Sequence, residues 1–135
     1  QPILMRLKSD LVELVLQALD GTLDRADAQW DRRTALGVVV AAAGYPYAPR
    51  KGDVIHGLPA PAAETDAAIK VFHAGTLLDG DDVKVNGGRV LCVTALGDSV
   101  RQAQKAAYGT IAGIGFDGMQ FRTDIGHRGV GTRKG

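Results

Sequence analysis

A single cysteine, Cys92, stands in the 135 residues, so no internal disulfide can form, and a reducing compartment is expected. No apolar run approaches the roughly 18 residues that a membrane-spanning helix needs. Neither do these residues show a charged-then-apolar leader with a small-residue cleavage site. Charge of one sign is also missing. Sixteen Lys and Arg against fifteen Asp and Glu leave a net charge of +1, short of the basic excess that marks a dedicated nucleic-acid binder. The expectation is a cytoplasmic protein with neither nucleic acid nor membrane among its partners.

What is present describes one domain, or one domain with an appendage. Apolar residues make up 45% of the chain, enough for a real core, and 18 glycines are about twice the usual share. That excess follows no period, which implies many tight turns. The chain opens on Gln1-Pro2 without a Met and soon enters a helical pattern, so a longer polypeptide is expected upstream.

Leu4, Leu7, Leu11, Leu14 and Ala18 recur at spacings of three and four and predict one amphipathic helix, stopped at Asp20-Gly21. Val12, Val15, Leu16 and Leu19 widen its apolar surface beyond what one small domain covers. Residues 22–33, with a lone Trp30, read as a connection holding at most one helical turn. Residues 34–43 predict a buried central strand closed by Gly44-Tyr45-Pro46. A loop through Arg50-Lys51-Gly52, a basic turn of the solvated kind and third to the two anion-holding candidates named below, leads to a short strand over 54–58 that Pro59 and Pro61 break. One strand is predicted over 68–78 and another over 83–85, with Asp79-Gly80-Asp81-Asp82 as the turn between them. Asn86-Gly87 carries the signature of a type I′ hairpin, with its return strand over 89–95. Together these segments predict an α+β fold: an amphipathic N-terminal helix, then a barrel-like antiparallel β-meander with flanking helices. Ser99 and Gln102 spell a capping box. Val100, Ala103, Ala107 and Ile111 then define a helix ending near Gly113. The stretch from Phe116 is aperiodic, and residues 128–135 form a basic tail expected to fray.

Most motif-like features have a plain reading. Gly113-Ile-Gly115-Phe-Asp-Gly118 matches the dinucleotide fingerprint by letter, but it follows a helix where the fingerprint must follow a strand. The Asp79–Asp82 turn lacks the ligand spacing of a calcium loop. Cys92 lies in an apolar strand with no basic neighbour in sequence, as a buried inert thiol does. His56, His73 and His127 show no metal-ligand spacing. Two anion-holding places remain. One is Asn86-Gly87-Gly88-Arg89, whose turn amides converge beside a guanidinium. The other is Phe72-His73-Ala-Gly75-Thr76, where Gly75 admits a close neighbour. In a meander the two approach each other.

The segments 1–11, Gly44-Tyr45-Pro46, Gly-Asp-Val-Ile-His-Gly-Leu (52–58), Val-Phe-His-Ala-Gly-Thr (71–76), Gly-Gly-Arg-Val-Leu-Cys-Val-Thr-Ala-Leu-Gly (87–97), 103–108 and Asp-Ile-Gly-His-Arg (124–128) resemble, in collinear order, the glycinamide ribonucleotide synthetase family. These are the phosphoribosylamine–glycine ligases of the ATP-grasp superfamily. The resemblance covers a C-terminal third of such an enzyme. It implies that residues 1–21 are the last helix of the ATP-grasp core, 22–33 a linker, 34–127 a C-terminal subdomain and 128–135 a flexible tail. It also implies a purine-biosynthetic ligase that couples glycine to 5-phosphoribosylamine through a glycyl phosphate. ATP and Mg²⁺ or Mn²⁺ would be handled by the N-terminal part of the same enzyme, leaving this portion inactive alone, with no catalytic residue and no metal ligand.

Within the chain, the resemblance points to Arg89 as the anchor of the sugar phosphate and to the Gly87 and Gly88 amides as its cradle. His73, Gly75 and Thr76 would line the other wall, Thr76 standing where related purine enzymes carry a lysine. Gln1 and Pro2 would sit at the cleft edge. The competing expectation is a non-catalytic module that binds a phosphorylated metabolite or a partner protein.

Overall fold

Strand β5 (Arg89–Gly97) is the hub of the fold in a computed structural model that describes residues 1–60 and 68–130. It pairs antiparallel on one side with β1 (Thr34–Ala41) and on the other with β2 (Ile69–His73). The two-residue β6 (Gln120–Phe121) adds to the far edge of β1, giving the order β2-β5-β1-β6. A separate hairpin joins β3 (Thr76–Asp79) to β4 (Asp82–Val85). Residues 90–96 of β5 are all buried, as a continuous apolar run demands of a central strand.

The two faces of the sheet are covered differently. Leu36, Val38 and Val40 of β1 lie opposite Ala95, Val93 and Leu91 of β5 and share the core face. Onto them packs α3 (Val100–Ile111) through Ala103, Ala107 and Ile111, all buried. Small side chains at the contact let helix and strand approach closely. Gly97 does the same at the strand end, where an added Cβ would fall 2.6 Å from the Ala103 amide nitrogen. The other face, bearing Gly37, Cys92 and Thr94, receives Pro2 of α1 (Pro2–Arg6), whose Cγ lies 3.0 Å from where a Gly37 Cβ would be. Cys92 is buried there, as expected, with its Sγ 3.5 Å from the Thr94 hydroxyl.

Several sequence expectations are corrected. The single N-terminal helix is two: α1, and α2 (Leu11–Leu19). Between them Leu7 turns extended and bridges Trp30, and the Asp10 carboxylate accepts from the Val12 and Glu13 amides, so an N-cap starts a new helix where the apolar period runs on unbroken. The stop is as predicted, with Gly21 at φ +69°. No residue of α2 is buried, and Leu11, Val12, Val15, Leu16 and Leu19 are each about half exposed or more.

The strand expected over 54–58 does not form. Val54 bridges Lys84 and His56 bridges Gly115, two different partners, so no ladder propagates. The strand expected over 68–78 breaks at Ala74-Gly75 into β2 and β3, which belong to different sheets. Asn86-Gly87 is no hairpin: β4 and β5 do not pair, and Gly87 lacks the positive φ that a type I′ turn requires. The antiparallel meander is therefore replaced by a sheet whose neighbours are distant in sequence. Asp79–Asp82 is the hairpin tip predicted, with Gly80 at φ +60°. Pro61 and residues 131–135 of the predicted tail lie outside the described residues, while His127–Val130 forms α4.

The capping box is present in shifted form: the Gln102 amide donates to Ser99 Oγ, and the Gln102 side chain accepts from Asp98, one residue before the cap. Periodicity missed how the aperiodic C-terminus is held. The Tyr108 hydroxyl donates to the Arg122 carbonyl at 2.6 Å and accepts from the Ile125 amide at 3.1 Å, while Gln104 donates to the Ile125 carbonyl. Tyr108→Phe removes both hydroxyl bonds and is expected to destabilise the domain by about 1–3 kcal/mol in a chemical denaturation series. A loss within error would show that solvent satisfies the two backbone groups.

Asp31, near the end of the 22–33 connection, accepts from the Arg33 guanidinium at 2.6 Å and from the Arg33 amide at 2.8 Å. Those bonds, side chain first, keep its carboxyl well below the usual carboxylate range. Because the folded value is depressed, its stabilising effect is complete above the unfolded value of about 4 and declines as pH falls below that. Asp31→Asn is expected to flatten the acid limb of a thermal-stability profile between about pH 4 and pH 2. An unchanged acid limb would contradict this.

Candidate functional site

The break between β2 and β3 builds the most distinctive corner of the molecule. The β2–β5 register places His73 opposite Leu91 and continues one step, with the Gly75 amide donating to the Arg89 carbonyl at 2.9 Å. The Asn86 amide in turn donates to the Gly75 carbonyl at 2.7 Å. Gly75 is thus gripped from two sides. A Cβ added there would fall 2.7 Å from the Arg89 carbonyl oxygen and 2.8 Å from the Gly87 Cα, distances that side chains do not tolerate. A Cβ on Gly87 would in turn meet the Gly75 Cα at 3.0 Å. Two glycines therefore let two backbones touch, and the two candidate anion segments do meet in space.

Around this contact the other predicted residues assemble. His73 Nδ1 and the Thr76 hydroxyl are 3.1 Å apart, joined across the corner. His73 pairs with Leu91, two residues along β5 from Arg89, and the Gly75 amide bond to the Arg89 carbonyl brings the His73–Thr76 corner to the start of β5. The Arg89 side chain is exposed and has no ion-pair or hydrogen-bond partner among the described residues. Neither the Gly87 nor the Gly88 amide donates to an acceptor among them. Gly88 is tight for another reason: its Cβ would fall 2.5 Å from Tyr45 Cδ2, so the Tyr45 ring walls the cradle. The sequence presents Tyr45 only as part of the stop that closes the 34–43 strand and of the family resemblance, with no site role. Its signal was the Gly44-Tyr45-Pro46 stop, which turns the chain back after β1.

The rest of the corner is electrically balanced. Lys84 and Asp79 pair at 2.7 Å across the β3–β4 hairpin, each favouring the charged form of the other. Arg50 is bound to Asp53 and Asp117 and ties two loops together, a structural use of the third basic turn. The corner thus combines an unpaired guanidinium, two spare amides, an imidazole and a hydroxyl, a set of donors suited to an anion. Pro2 is not part of it. It lies over Gly37, opposite Thr94, on the other face of the sheet and five residues along β5 from Arg89. There, with Ile3, Arg6, Trp30 and Arg32, it lines an open cleft of about 410 Å³.

Comparison with known proteins agrees with the sequence resemblance. Residues 35–128 match the family described as Phosphoribosylglycinamide synthetase, C domain. Over 130 residues the chain is 54% identical to the phosphoribosylamine–glycine ligase of Ralstonia nicotianae, covering 96% of this chain and 30% of that protein. It is 56% identical over 131 residues to the enzyme of the same name from Escherichia coli K12, with the same coverage. The crystal structure of phosphoribosylamine–glycine ligase from Thermotoga maritima superposes with a TM-score of 0.66 at 31% identity, covering 84% of this chain and 27% of that one. The chain therefore spans about 30% of the length of the curated relatives it matches. With 94 of its residues inside the match to the C domain, and β2, β5, α3 and all of β1 but Thr34 within those bounds, the chain belongs to the phosphoribosylglycinamide synthetase family.

Proposed function

We propose that this chain is the C-terminal portion of an ATP-dependent ligase that joins glycine to 5-phosphoribosylamine in purine biosynthesis, and that its β2–β3 corner holds the sugar phosphate. The observation that carries this is the Gly75–Gly87 contact. It gathers Arg89, the Gly87 and Gly88 amides, His73 and Thr76 at one exposed point with their donors largely unspent. Arg89 supplies a fixed charge and a planar fork matched to phosphate oxygens. The amides, shielded by Tyr45, add donors whose geometry is set by the backbone.

In this reading the glycine carboxylate oxygen attacks the γ-phosphorus of ATP and ADP leaves. The amine nitrogen of the sugar then attacks the acyl carbon, phosphate departs, and the amine loses a proton. The C domain contributes positioning. Holding the sugar by its phosphate makes the attack effectively intramolecular. Magnesium is a different matter. Among the described residues no group of three or more His, Cys, Asp or Glu converges as metal ligands, so none is assigned to a metal and no step here runs through one.

The reading extends to the rest of the enzyme. Residues 1–21 would complete the ATP-grasp core, with the exposed face of α2 meeting the N-terminal part. Residues 22–33 would act as the linker and 34–127 as the C-terminal subdomain. Gln1 and Pro2 would mark the edge of the shared cleft. The chain alone would then be inactive. A cytoplasmic location belongs to the same reading, in keeping with the lone buried thiol.

Arg89→Ala in the full-length ligase is expected to raise the KM for phosphoribosylamine, lowering kcat/KM by about 2–5 kcal/mol of transition-state stabilisation. The KM values for glycine and ATP should stay close to those of the wild type. Unchanged sugar-phosphate kinetics would remove Arg89 from the site, and ligase activity in the purified 135-residue chain would overturn the assignment of catalysis to the remainder.

A further inference from the structure

His73 and Thr76 form a pair that the phosphate reading does not by itself explain. Their side chains flank the Gly75 corner, with Nδ1 and Oγ1 3.1 Å apart. The span between them is fixed: the Ala74 amide donates to the Val90 carbonyl at 3.0 Å, the Gly75 amide to Arg89, and the Gly75 carbonyl accepts from Asn86. Neither side chain has another partner among the described residues. A neutral imidazole has one N–H and one bare nitrogen, and the partner of one nitrogen decides which the other presents. A phosphate only accepts. A ring offering bare Nε2 would repel it, whereas a ring offering Nε2–H would bind it.

We propose that Thr76 is a positioning residue: its hydroxyl donates to His73 Nδ1, holding the neutral ring in the tautomer whose Nε2–H donates to the phosphate of the bound sugar. This rests on the phosphate reading of the corner and adds the means by which His73 serves it without carrying a charge. Of the charged groups near the pair, Arg89 lies where the Gly75 amide meets β5. Asp79 and Lys84 on the packed hairpin are paired to each other, as are Asp53 and Arg50 on the loop beside β4. Lys70 and Cys92 lie on the opposite face of the ladder. Asp81 and Asp82 sit at the hairpin tip, at the far end of β3 and β4 from Thr76.

The test uses the full-length ligase and ribose 5-phosphate as the probe, with binding measured by calorimetry at pH 8.5, and nitrogen NMR of labelled histidine to report the tautomer. In the wild type His73 should be the Nε2–H form at pH 8.5. Thr76→Val should abolish the fixed tautomer and weaken binding about threefold to tenfold at pH 8.5, the equivalent of one neutral hydrogen bond. Thr76→Ser should restore both the tautomer and the affinity. An Nδ1–H tautomer in the wild type, no loss of affinity in Thr76→Val, or no rescue by Thr76→Ser would each overturn the positioning role. If Arg89→Ala still weakens binding in those cases, the phosphate reading stands without it. If the wild type does not bind ribose 5-phosphate, or Arg89→Ala and His73→Asn both bind it normally, the phosphate reading falls as well.

Discussion

Two backbones in van der Waals contact, at Gly75 and Gly87, fix everything else at this corner. Strand β2 belongs to the large sheet and β3 to the small hairpin, and the chain passes between them in two residues. That passage is possible only because the segment leading into β5 can lie directly on Gly75, with no side chain on either partner at the point of contact. The same contact is donated and accepted through, since Gly75 bonds to Arg89 by its amide and to Asn86 by its carbonyl. A side chain at either glycine would part the strands and carry Arg89 away from His73. The geometry of the corner is therefore set by backbone sterics, which are stiff, and not by long flexible side chains, which are not.

This division of labour suits a phosphate site. An arginine on a mobile loop loses side-chain entropy each time it binds, whereas one rooted at the start of a buried strand has its backbone already ordered. Arg89 is followed at once by Val90, fully buried, so its Cα is anchored in the core although its guanidinium reaches solvent. Tyr45 serves from the other side. By resting on Gly88 it keeps the amides of the cradle at a defined depth.

Much of this was legible in the sequence, and the failures share a cause. Strands β1 and β5 and helix α3 followed from apolar run length, period and the Ser99 cap, all local signals that tertiary packing then reinforced. Asn86-Gly87 misled because the dipeptide reports what turn a chain tolerates, while whether flanking strands pair depends on what else competes for them. Here β1 and β2 take both edges of β5, leaving none for β4. The N-terminal helix misled in the opposite sense. Its apolar period continues across Ser9-Asp10, but the Asp10 carboxylate captures two amides, and a local cap outweighs a period that no core is present to reward. The two anion segments meet as expected but not by the expected route, since the meander that was to join them does not form and the Gly75–Gly87 contact does it instead. The wall made by Tyr45 has no sequence signal, since nothing near residue 88 reports a ring 43 residues earlier in the chain.

The apolar face of α2 and the donor corner are the same kind of incompleteness in two chemistries. Nine helical residues of which none is buried gain little from the hydrophobic effect within this chain, and a helix so short is marginal on propensity alone. Guanidinium, amide and imidazole donors gathered without acceptors are likewise costly unless water or a ligand meets them. Both belong to a chain that spans under a third of its relatives' length. In the proposed reading, a polypeptide seated on α2 would bury its apolar face, and one closing over the donor corner would exclude water there and strengthen every charge-assisted bond made in it. The geometry of the corner is already complete in these residues, because two glycine backbones set it.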